Sequence, residues 1–245
     1  MHPNTFYRLL LASFVVLITL SPGRSHADDK QRVLFILSAH EHGYWLPEVL
    51  SPYEILTTAG YTIDFASPGA DPGVQAGGEQ MTAAERQTLQ RIDDQLSRPL
   101  DLANVQTDRY VALYVPGGAG PMFDLFDHPH VNRITADLYE SGKPVAAACH
   151  GPAAFAAVRL SDGSLLVQGK QVTAKSNAEE GDWARENYPF LLEDKLRSLN
   201  TTFSATDPYE PWVVQDGLLL TGQNPASAAP LAHALIQTLQ SPTVD

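Results

Sequence analysis

The only cysteine of the chain, Cys149, lies where an apolar segment meets a sharp break in the sequence. Residues 144–155 read PVAAACHGPAAF, a run of buried type that enters Cys-His-Gly-Pro before the alanines resume. A strand that turns tightly into a helix exposes the residue at the turn, which is the geometry of a nucleophile elbow. The N-terminus of such a helix favours a thiolate. The pattern predicts a nucleophilic Cys149 with a lowered pKa, and an inert buried cysteine is the alternative.

A glycine-rich turn, PGGAG, follows another apolar segment, YVALYV at residues 110–115. Glycines placed directly after a strand allow a backbone N–H to approach a reacting oxygen, as an oxyanion hole requires. We expect the N–H groups of Gly118 and His150 to be these donors, and Gly117 to line the substrate pocket. The spacing does not match G-x-G-x-x-G, and no acidic residue follows at the distance that dinucleotide binding needs, so that function is excluded.

The rest of the chain alternates between strand-like and helix-like patterns. Strands are predicted at residues 32–37, 61–66, 110–115 and 144–149. Helices are predicted at residues 46–58, 83–96, 131–141 and 226–240. Two hairpins are predicted further along, at residues 164–173 and 212–222. This alternation predicts an α/β fold in which a mostly parallel sheet is covered on both faces and ligands bind at the carboxyl ends of the strands.

Four features, taken in order, resemble the ThiJ/PfpI superfamily. They are Glu48 four residues before Pro52, the turn PGGAG, the elbow AACHGPA and the tail TGQNPAS. The chain is most similar to the branch that contains heat-shock chaperones with glyoxalase III activity, over about residues 32–239. The resemblance implies a flavodoxin-like three-layer sandwich, similar to the glutaminase domain of class I amidotransferases, in a single domain of residues 28–245. It also implies a homodimer.

The same resemblance implies a set of catalytic residues. Cys149 takes the position of the nucleophile, and His150 completes the Cys-His pair of the branch. Glu48 matches the acid that contacts the cysteine sulfur in this family. From the sequence alone, a solvated helix carboxylate is the alternative for Glu48.

An acidic residue is expected to pair with His150, and it falls in the loop that reads TAKSNAEE from Thr173 onward. The count along this loop favours Glu180, with Glu179 as the alternative. Lys175 departs from the pattern of the branch because it adds a cation. We expect Lys175 to pair with a neighbouring acid.

The loop after the first strand carries His40, Glu41 and His42. Two histidines and a carboxylate are potential ligands of a divalent metal, but no further protein ligand can be assigned with them, so we predict no metal site. We expect instead that His42, Tyr44 and Trp45 line the substrate pocket.

These residues together predict an enzyme that needs no cofactor. The resemblance implies that it acts on small reactive carbonyls, for example by converting methylglyoxal to lactate through a hemithioacetal on Cys149. Two alternatives stay open. A stress-related holdase chaperone would act through its surface, and an amidase- or peptidase-type hydrolase would use the same Cys-His-acid site for acyl transfer.

Residues 1–27 have the layout of a secretory signal peptide. Arg8 precedes the apolar run LLLASFVVLITL, and small residues at positions 25 and 27 offer a cleavage site before Asp28. The run is shorter than the roughly 20 apolar residues that a transmembrane helix needs. We expect export to the periplasm or beyond, and no membrane attachment of the mature form.

The composition limits the partners of the protein. The chain of 245 residues is 44% hydrophobic and carries a formal net charge of −12 at pH 7. An acidic surface argues against nucleic acids and anionic membranes as partners, and it leaves a small-molecule substrate open. A single cysteine also excludes an intramolecular disulfide.

Overall fold

The apolar segments of the chain form strands, and the amphipathic segments between them form helices. The computed structural model describes residues 31–241, so the predicted signal peptide lies outside the described residues. The strands are β1 (Arg32–Ile36), β2 (Tyr44–Trp45), β3 (Thr62–Ser67), β4 (Gln75–Ala76), β5 (Leu100–Asp101), β6 (Tyr110–Val115), β7 (Val145–Ala148), β8 (Gln171–Val172), β9 (Thr202–Phe203), β10 (Val213–Asp216) and β11 (Leu219–Gly222). The helices are α1 (Leu46–Thr58), α2 (Ala83–Leu96), α3 (Pro121–Asp124), α4 (Pro129–Glu140), α5 (Asp182–Asn187), α6 (Leu192–Ser198) and α7 (Ala228–Gln240).

A seven-stranded sheet in the order β10-β11-β7-β6-β1-β3-β5 forms the centre of the fold. Its neighbouring strands are parallel, except that β10 runs antiparallel to β11. Along β1, Leu34 and Ile36 join one buried cluster, whereas Val33 and Phe35 join another. Successive side chains of a strand point to opposite faces, so each face of the sheet is buried under its own core. The predicted α/β sandwich with a mostly parallel sheet is confirmed.

Helices cover both faces of this sheet. Val49 of α1, Ile92 of α2 and Leu231 of α7 pack in the cluster of Val33, and Ile134 of α4 packs in the other cluster. Within the described residues, no helix is long and apolar enough to cross a bilayer. Because β1, β6 and β7 run parallel, their carboxyl ends lie at the same end of the sheet, where the predicted site residues follow.

Helix α1 begins directly after β2 and delivers an acid to this edge. Its bounds are those predicted, and Pro47 occupies its first turn, where the missing N–H of proline is no loss. Glu48 follows in the same turn. The chain therefore fixes Glu48 at the end of the helix that lies beside the carboxyl ends of the strands.

One of the two predicted hairpins is present and the other is not. Strands β10 and β11 pair antiparallel across residues 213–222, as predicted. The segment at residues 164–173 forms no hairpin, because β8 pairs in parallel with β9 from much later in the chain. Gly169 does turn the chain, with φ of +74°, but Leu166 and Val167 before it are buried in the core.

Candidate active site

Backbone hydrogen bonds hold the elbow at Cys149 on both sides. The Cys149 N–H donates to the carbonyl of Gly222 at 2.9 Å, and the Cys149 carbonyl accepts from the Lys175 N–H at 2.9 Å. Cys149 has φ of +58°, a left-handed conformation that is strained for a residue other than glycine. The predicted tight turn is present, but the chain continues into a five-residue 3₁₀-helix, Gly151–Phe155, and not into an α-helix.

The imidazole of His150 lies between the Cys149 sulfur and an acid. Its Nδ1 is 3.5 Å from Sγ, and its Nε2 is 2.8 Å from Oε1 of Glu180. All three residues are buried. A carboxylate at one ring nitrogen favours the tautomer that carries a proton there and leaves the other nitrogen free to accept the thiol proton. The geometry thus brings together a thiol, a base and the acid that orients the base.

Glu179, the alternative partner of His150, belongs to a different network. Its carboxylate accepts hydrogen bonds of 2.9 to 3.0 Å from the Tyr209 N–H, the Asn224 and Gln223 amides and the Ser176 hydroxyl. Burial raises the pKa of Glu179, but these hydrogen bonds outweigh it and hold the pKa below its usual range. The contact with His150 is therefore made by Glu180, and Glu179 anchors the loop that carries Tyr209.

Glu48 is completely buried, and its carboxyl group faces the elbow. Oε2 accepts a 2.6 Å hydrogen bond from the Gly117 N–H, whereas Oε1 makes no hydrogen bond to any residue that the structure describes. Burial raises the pKa of Glu48 to about 7, against the opposing effects of the Gly117 hydrogen bond, the contact with Cys149 and the charge of Lys175. Near neutral pH, Glu48 is therefore present in both protonation states.

Gly117 lies where the carboxyl group, the cysteine and the elbow backbone converge. A Cβ at this position would lie 2.6 Å from the Cys149 Cβ, 2.8 Å from Glu48 Oε2 and 2.8 Å from the backbone nitrogen of His150. Any side chain at position 117 would displace at least one of these groups. Glycine is required here by this close approach.

The thiol of Cys149 is harder to ionise than the sequence suggested. Burial raises its pKa well above the usual value and the charge of Glu48 raises it further, while Lys175 and the Gly118 N–H act in the opposite direction. The predicted lowering of the pKa is therefore wrong for the resting site, because the thiol is buried and an acid lies beside the sulfur. A buried thiol and carboxyl group cannot both be charged, so the pair retains a proton.

The model of the DJ-1/PfpI family matches residues 31–238. The chain belongs to the DJ-1/PfpI family. It is 29% identical over 243 residues to "Probable glutathione-independent glyoxalase hsp3103" of Schizosaccharomyces pombe, covering 84% of this chain and 93% of that protein. It is 26% identical over 225 residues to "Glutathione-independent glyoxalase HSP31" of Saccharomyces cerevisiae, covering 85% and 94%. The solved structure of Rapid Encystment Protein 24 kDa of Francisella tularensis superposes with a TM-score of 0.80 at 27% identity, covering 86% of this chain and 100% of that one.

Aromatic side chains lead from the surface of this DJ-1/PfpI protein to His150. The Tyr188 ring lies 5.1 Å from the His150 ring, the Trp183 ring 5.6 Å from Tyr188, and the His42 ring 5.0 Å from Trp183. Trp183 is 47% exposed. His42 therefore lies in an aromatic wall of the site, beside Phe123 at 4.9 Å.

Three members of this wall, Phe123, Trp183 and Tyr188, were not predicted from the sequence. Trp183 and Tyr188 come shortly after Glu180, on and after the short helix α5. Two aromatic residues that closely follow a candidate catalytic acid are a signal for a pocket wall. The pairing with His42 depends on the folded loops and has no counterpart in the sequence.

The prediction that Tyr44 lines the pocket is wrong. Its side chain is completely buried in the core, so it offers no surface to a substrate. The backbone of this segment supports the glycine turn instead: the Trp45 N–H donates to the Gly117 carbonyl at 2.9 Å.

Gly118 has φ of +102°, and a Cβ there would lie 2.7 Å from both the Tyr44 Cα and the Trp45 nitrogen. The Trp45 ring packs against Gly77, where a Cβ would lie 2.7 Å from it.

The segment His40-Glu41-His42 is folded onto itself and onto the aromatic wall. His40 Nδ1 accepts a 3.2 Å hydrogen bond from the His42 N–H, and the His40 ring stacks on Phe123 at 4.6 Å. Across residues 31–241, no group of three or more His, Cys, Asp or Glu side chains is arranged to hold a metal ion.

Proposed function

We propose that this protein converts 2-oxoaldehydes such as methylglyoxal into 2-hydroxy acids such as lactate, with Cys149 as nucleophile and Glu48 as the group that moves the proton. One observation carries the proposal: Glu48 Oε1 is buried beside the elbow and has no hydrogen-bond partner among the described residues. With a pKa of about 7, this carboxyl group can both take and give a proton at neutral pH. The glyoxalase names of similar proteins support the same chemistry.

The first step is addition of the sulfur to the aldehyde carbon. His150 Nδ1, 3.5 Å from Sγ, takes the thiol proton as the new S–C bond forms, and Glu180 stabilises the resulting imidazolium. Ionisation coupled to attack explains how a thiol with a raised pKa can react. The aldehyde oxygen becomes an oxyanion, for which the N–H groups of Gly118 and His150 are the proposed donors, and then accepts the proton to give a hemithioacetal.

The second step exchanges the oxidation levels of the two substrate carbons. Glu48 removes the proton from the former aldehyde carbon and passes it to the neighbouring ketone oxygen, which gives an enediol. Glu48 then takes the proton from the hydroxyl group of the first carbon and gives it to the second carbon, which leaves a thioester. The first carbon is oxidised and the second is reduced, so the step needs no external oxidant, reductant or cofactor.

The last step is hydrolysis of the thioester. A water molecule, deprotonated by His150, adds to the thioester carbon, the C–S bond breaks, and the 2-hydroxy acid leaves. The proton returns to the sulfur. The overall reaction adds one water to the 2-oxoaldehyde.

A Cys-His-acid site also serves hydrolysis of amides and peptides, which makes a hydrolase the second candidate. The observation that favours it is the Cys149–His150–Glu180 geometry, which acyl transfer would use unchanged. Acyl transfer gives Glu48 no proton to carry between carbons. The place of Glu48 beside the thiol therefore favours the 2-oxoaldehyde reaction.

Lactate formation from methylglyoxal by the purified protein, without glutathione and in the presence of a metal chelator, tests the proposal. We expect turnover by the wild type and none by Cys149→Ser. Intact mass after rapid quenching should show one methylglyoxal added to Cys149. Cleavage of amide or peptide substrates, with no turnover of methylglyoxal, would instead establish the hydrolase.

A further inference from the structure

The ammonium group of Lys175 lies next to the site with its hydrogen-bonding capacity unused. The Lys175 backbone N–H donates to the Cys149 carbonyl at 2.9 Å, which ties the residue to the elbow. Its side chain is only 13% exposed, and the nearest acid oxygen, Glu179 Oε1, is 4.0 Å from Nζ. That distance is too long for a hydrogen bond, and the structure describes none from Nζ to residues 31–241. An ammonium group has three N–H donors, and Nζ, which is not completely buried, can offer them to a bound ligand.

Glu179 does not require Lys175 as a partner. Its carboxylate already accepts short hydrogen bonds from the backbone N–H of Tyr209 and from the amide of Asn224, at 2.9 Å each. Further donors occupy its second oxygen. The ion pair with a neighbouring acid that the sequence predicted is present, but at 4.0 Å it uses none of the N–H donors of Nζ in a hydrogen bond.

The surroundings of Lys175 connect it to both the reacting groups and the solvent. Its positive charge acts on Cys149 and on Glu48, and it lowers the pKa of each. On its other side, Nζ lies 5.4 Å from the ring centroid of Tyr209. Tyr209 is 70% exposed and has φ of +68°, a strained conformation fixed by its hydrogen bond to Glu179. Lys175 thus lies between the elbow and the exposed ring of Tyr209.

We propose that Lys175 binds a carboxylate at the far end of the substrate, so that the preferred substrates are 2-oxoaldehydes with an anionic tail. The inference rests on the proposed function: Cys149 takes the aldehyde carbon, and the tail extends to Nζ. A carboxylate supplies the acceptors that the ammonium group lacks, in a charge-assisted hydrogen bond. The protein carries a net charge of −12, so a local cation is needed to hold an anion at the site. Methylglyoxal has no tail and leaves Nζ unmatched.

The preference between two substrates tests this role. The ratio of kcat/KM for 4,5-dioxopentanoate, which ends in a carboxylate, to kcat/KM for methylglyoxal is measured in the wild type and in Lys175→Met. We expect the substitution to lower this ratio by about 10- to 100-fold, mainly through KM, since one charge-assisted hydrogen bond is lost. Any general effect of the Lys175 charge on Cys149 cancels in the ratio. An unchanged ratio in Lys175→Met overturns the proposal.

Lys170→Met is the matched control, because it removes the same charge from a lysine that pairs with Asp216 at 3.1 Å, beside the β10–β11 turn. The turn precedes β11 and the elbow follows β7. Because β11 runs parallel to β7, the turn and the elbow lie at opposite ends of these strands. We expect the ratio to be unchanged in this variant. An equal fall in both variants would mean that general charge, and not a subsite at Lys175, sets the preference.

A binding measurement separates this inference from the proposed function. Levulinate has the same tail and ketone but no aldehyde, so it can bind without reacting. By calorimetry on Cys149→Ser, we expect levulinate to bind about tenfold or more tightly than on Cys149→Ser/Lys175→Met. This result would support the subsite even if methylglyoxal were not turned over. Equal or absent binding in both proteins would overturn the subsite even if methylglyoxal were turned over.

Discussion

The backbone N–H of Gly117 holds the Glu48 carboxyl group against the elbow, through a hydrogen bond of 2.6 Å to Oε2. Because Oε2 is fixed in this way, Oε1 is the oxygen that is free to exchange a proton. Burial raises the pKa of Glu48 to about 7, which matches the working pH of a general acid–base group. The proposed reaction uses this oxygen, whereas acyl transfer by Cys149, His150 and Glu180 would not require it.

The raised pKa of Glu48 predicts a pH-dependent penalty on stability. The unfolded pKa is about 4.3, so between that value and about 7 the folded state binds more protons than the unfolded state, and stability falls as pH rises. Glu48→Gln removes the penalty. Urea unfolding should show the variant gaining on the wild type between pH 4 and pH 8, by up to about 3 kcal/mol. A stability difference that does not vary with pH would contradict a buried Glu48 with this pKa.

Gly117→Ala should inactivate the site without unfolding the protein. The new methyl group would stand 2.6 Å from the Cys149 Cβ and 2.8 Å from Glu48 Oε2, so the cysteine or the acid must shift. We expect methylglyoxal turnover to fall by about 100-fold, since small displacements of catalytic groups have effects of this size. Circular dichroism should be unchanged. Gly78→Ala is a control for glycine substitution, since a Cβ there meets only the end of the Met81 side chain, at 3.8 Å. Equal activity of Gly117→Ala and the wild type would show that the close approach is not needed.

The two neighbouring glutamates should differ in their effects on turnover. Glu180→Gln removes the charge that stabilises the His150 imidazolium, and we expect kcat to fall by about 10²- to 10⁴-fold. Glu179→Gln alters the network that anchors Tyr209 and should mainly lower stability. Initial rates with methylglyoxal and thermal unfolding of both variants make the comparison. A larger loss of kcat in Glu179→Gln would reverse the assignment.

Alkylation of Cys149 should reflect the raised pKa of its thiol. With iodoacetamide, the rate should reach half its maximum above the pH of about 8.5 that is usual for a free cysteine. In Glu48→Gln the midpoint should move to lower pH, because the negative neighbour is gone. A wild-type midpoint below about 8.5 would show that the resting site stabilises the thiolate.

Much of the fold and the candidate site could be predicted because the informative residues lie at the ends of strongly patterned segments. The apolar run of β6 is followed by Pro116 and Gly117, and that of β7 by Cys149. The bounds of α1 and α2 follow from helical spacing and, for α1, from Pro47. The contact between His150 and Glu180 joins distant parts of the chain. Only the family resemblance, and not the spacing, could indicate it.

What the sequence could not show depends on burial and on loops. The direction of the Cys149 pKa shift follows from its burial beside Glu48, which no local pattern records. The partner of β8 is β9, far along the chain, so a local glycine wrongly suggested a hairpin. Tyr44 belongs to the short strand β2 and turns its ring into the core.

The value of kcat/KM for methylglyoxal in Glu48→Gln, relative to the wild type, tests the central claim most directly. Glutamine keeps the size of Glu48 and can accept the Gly117 hydrogen bond, but it cannot carry a proton between the two substrate carbons. Glu54→Gln, on the exposed side of the same helix, is the control and should match the wild type. The account predicts a fall of about 100-fold or more in Glu48→Gln. Wild-type activity in this variant would contradict it, because the proton would then move without Glu48.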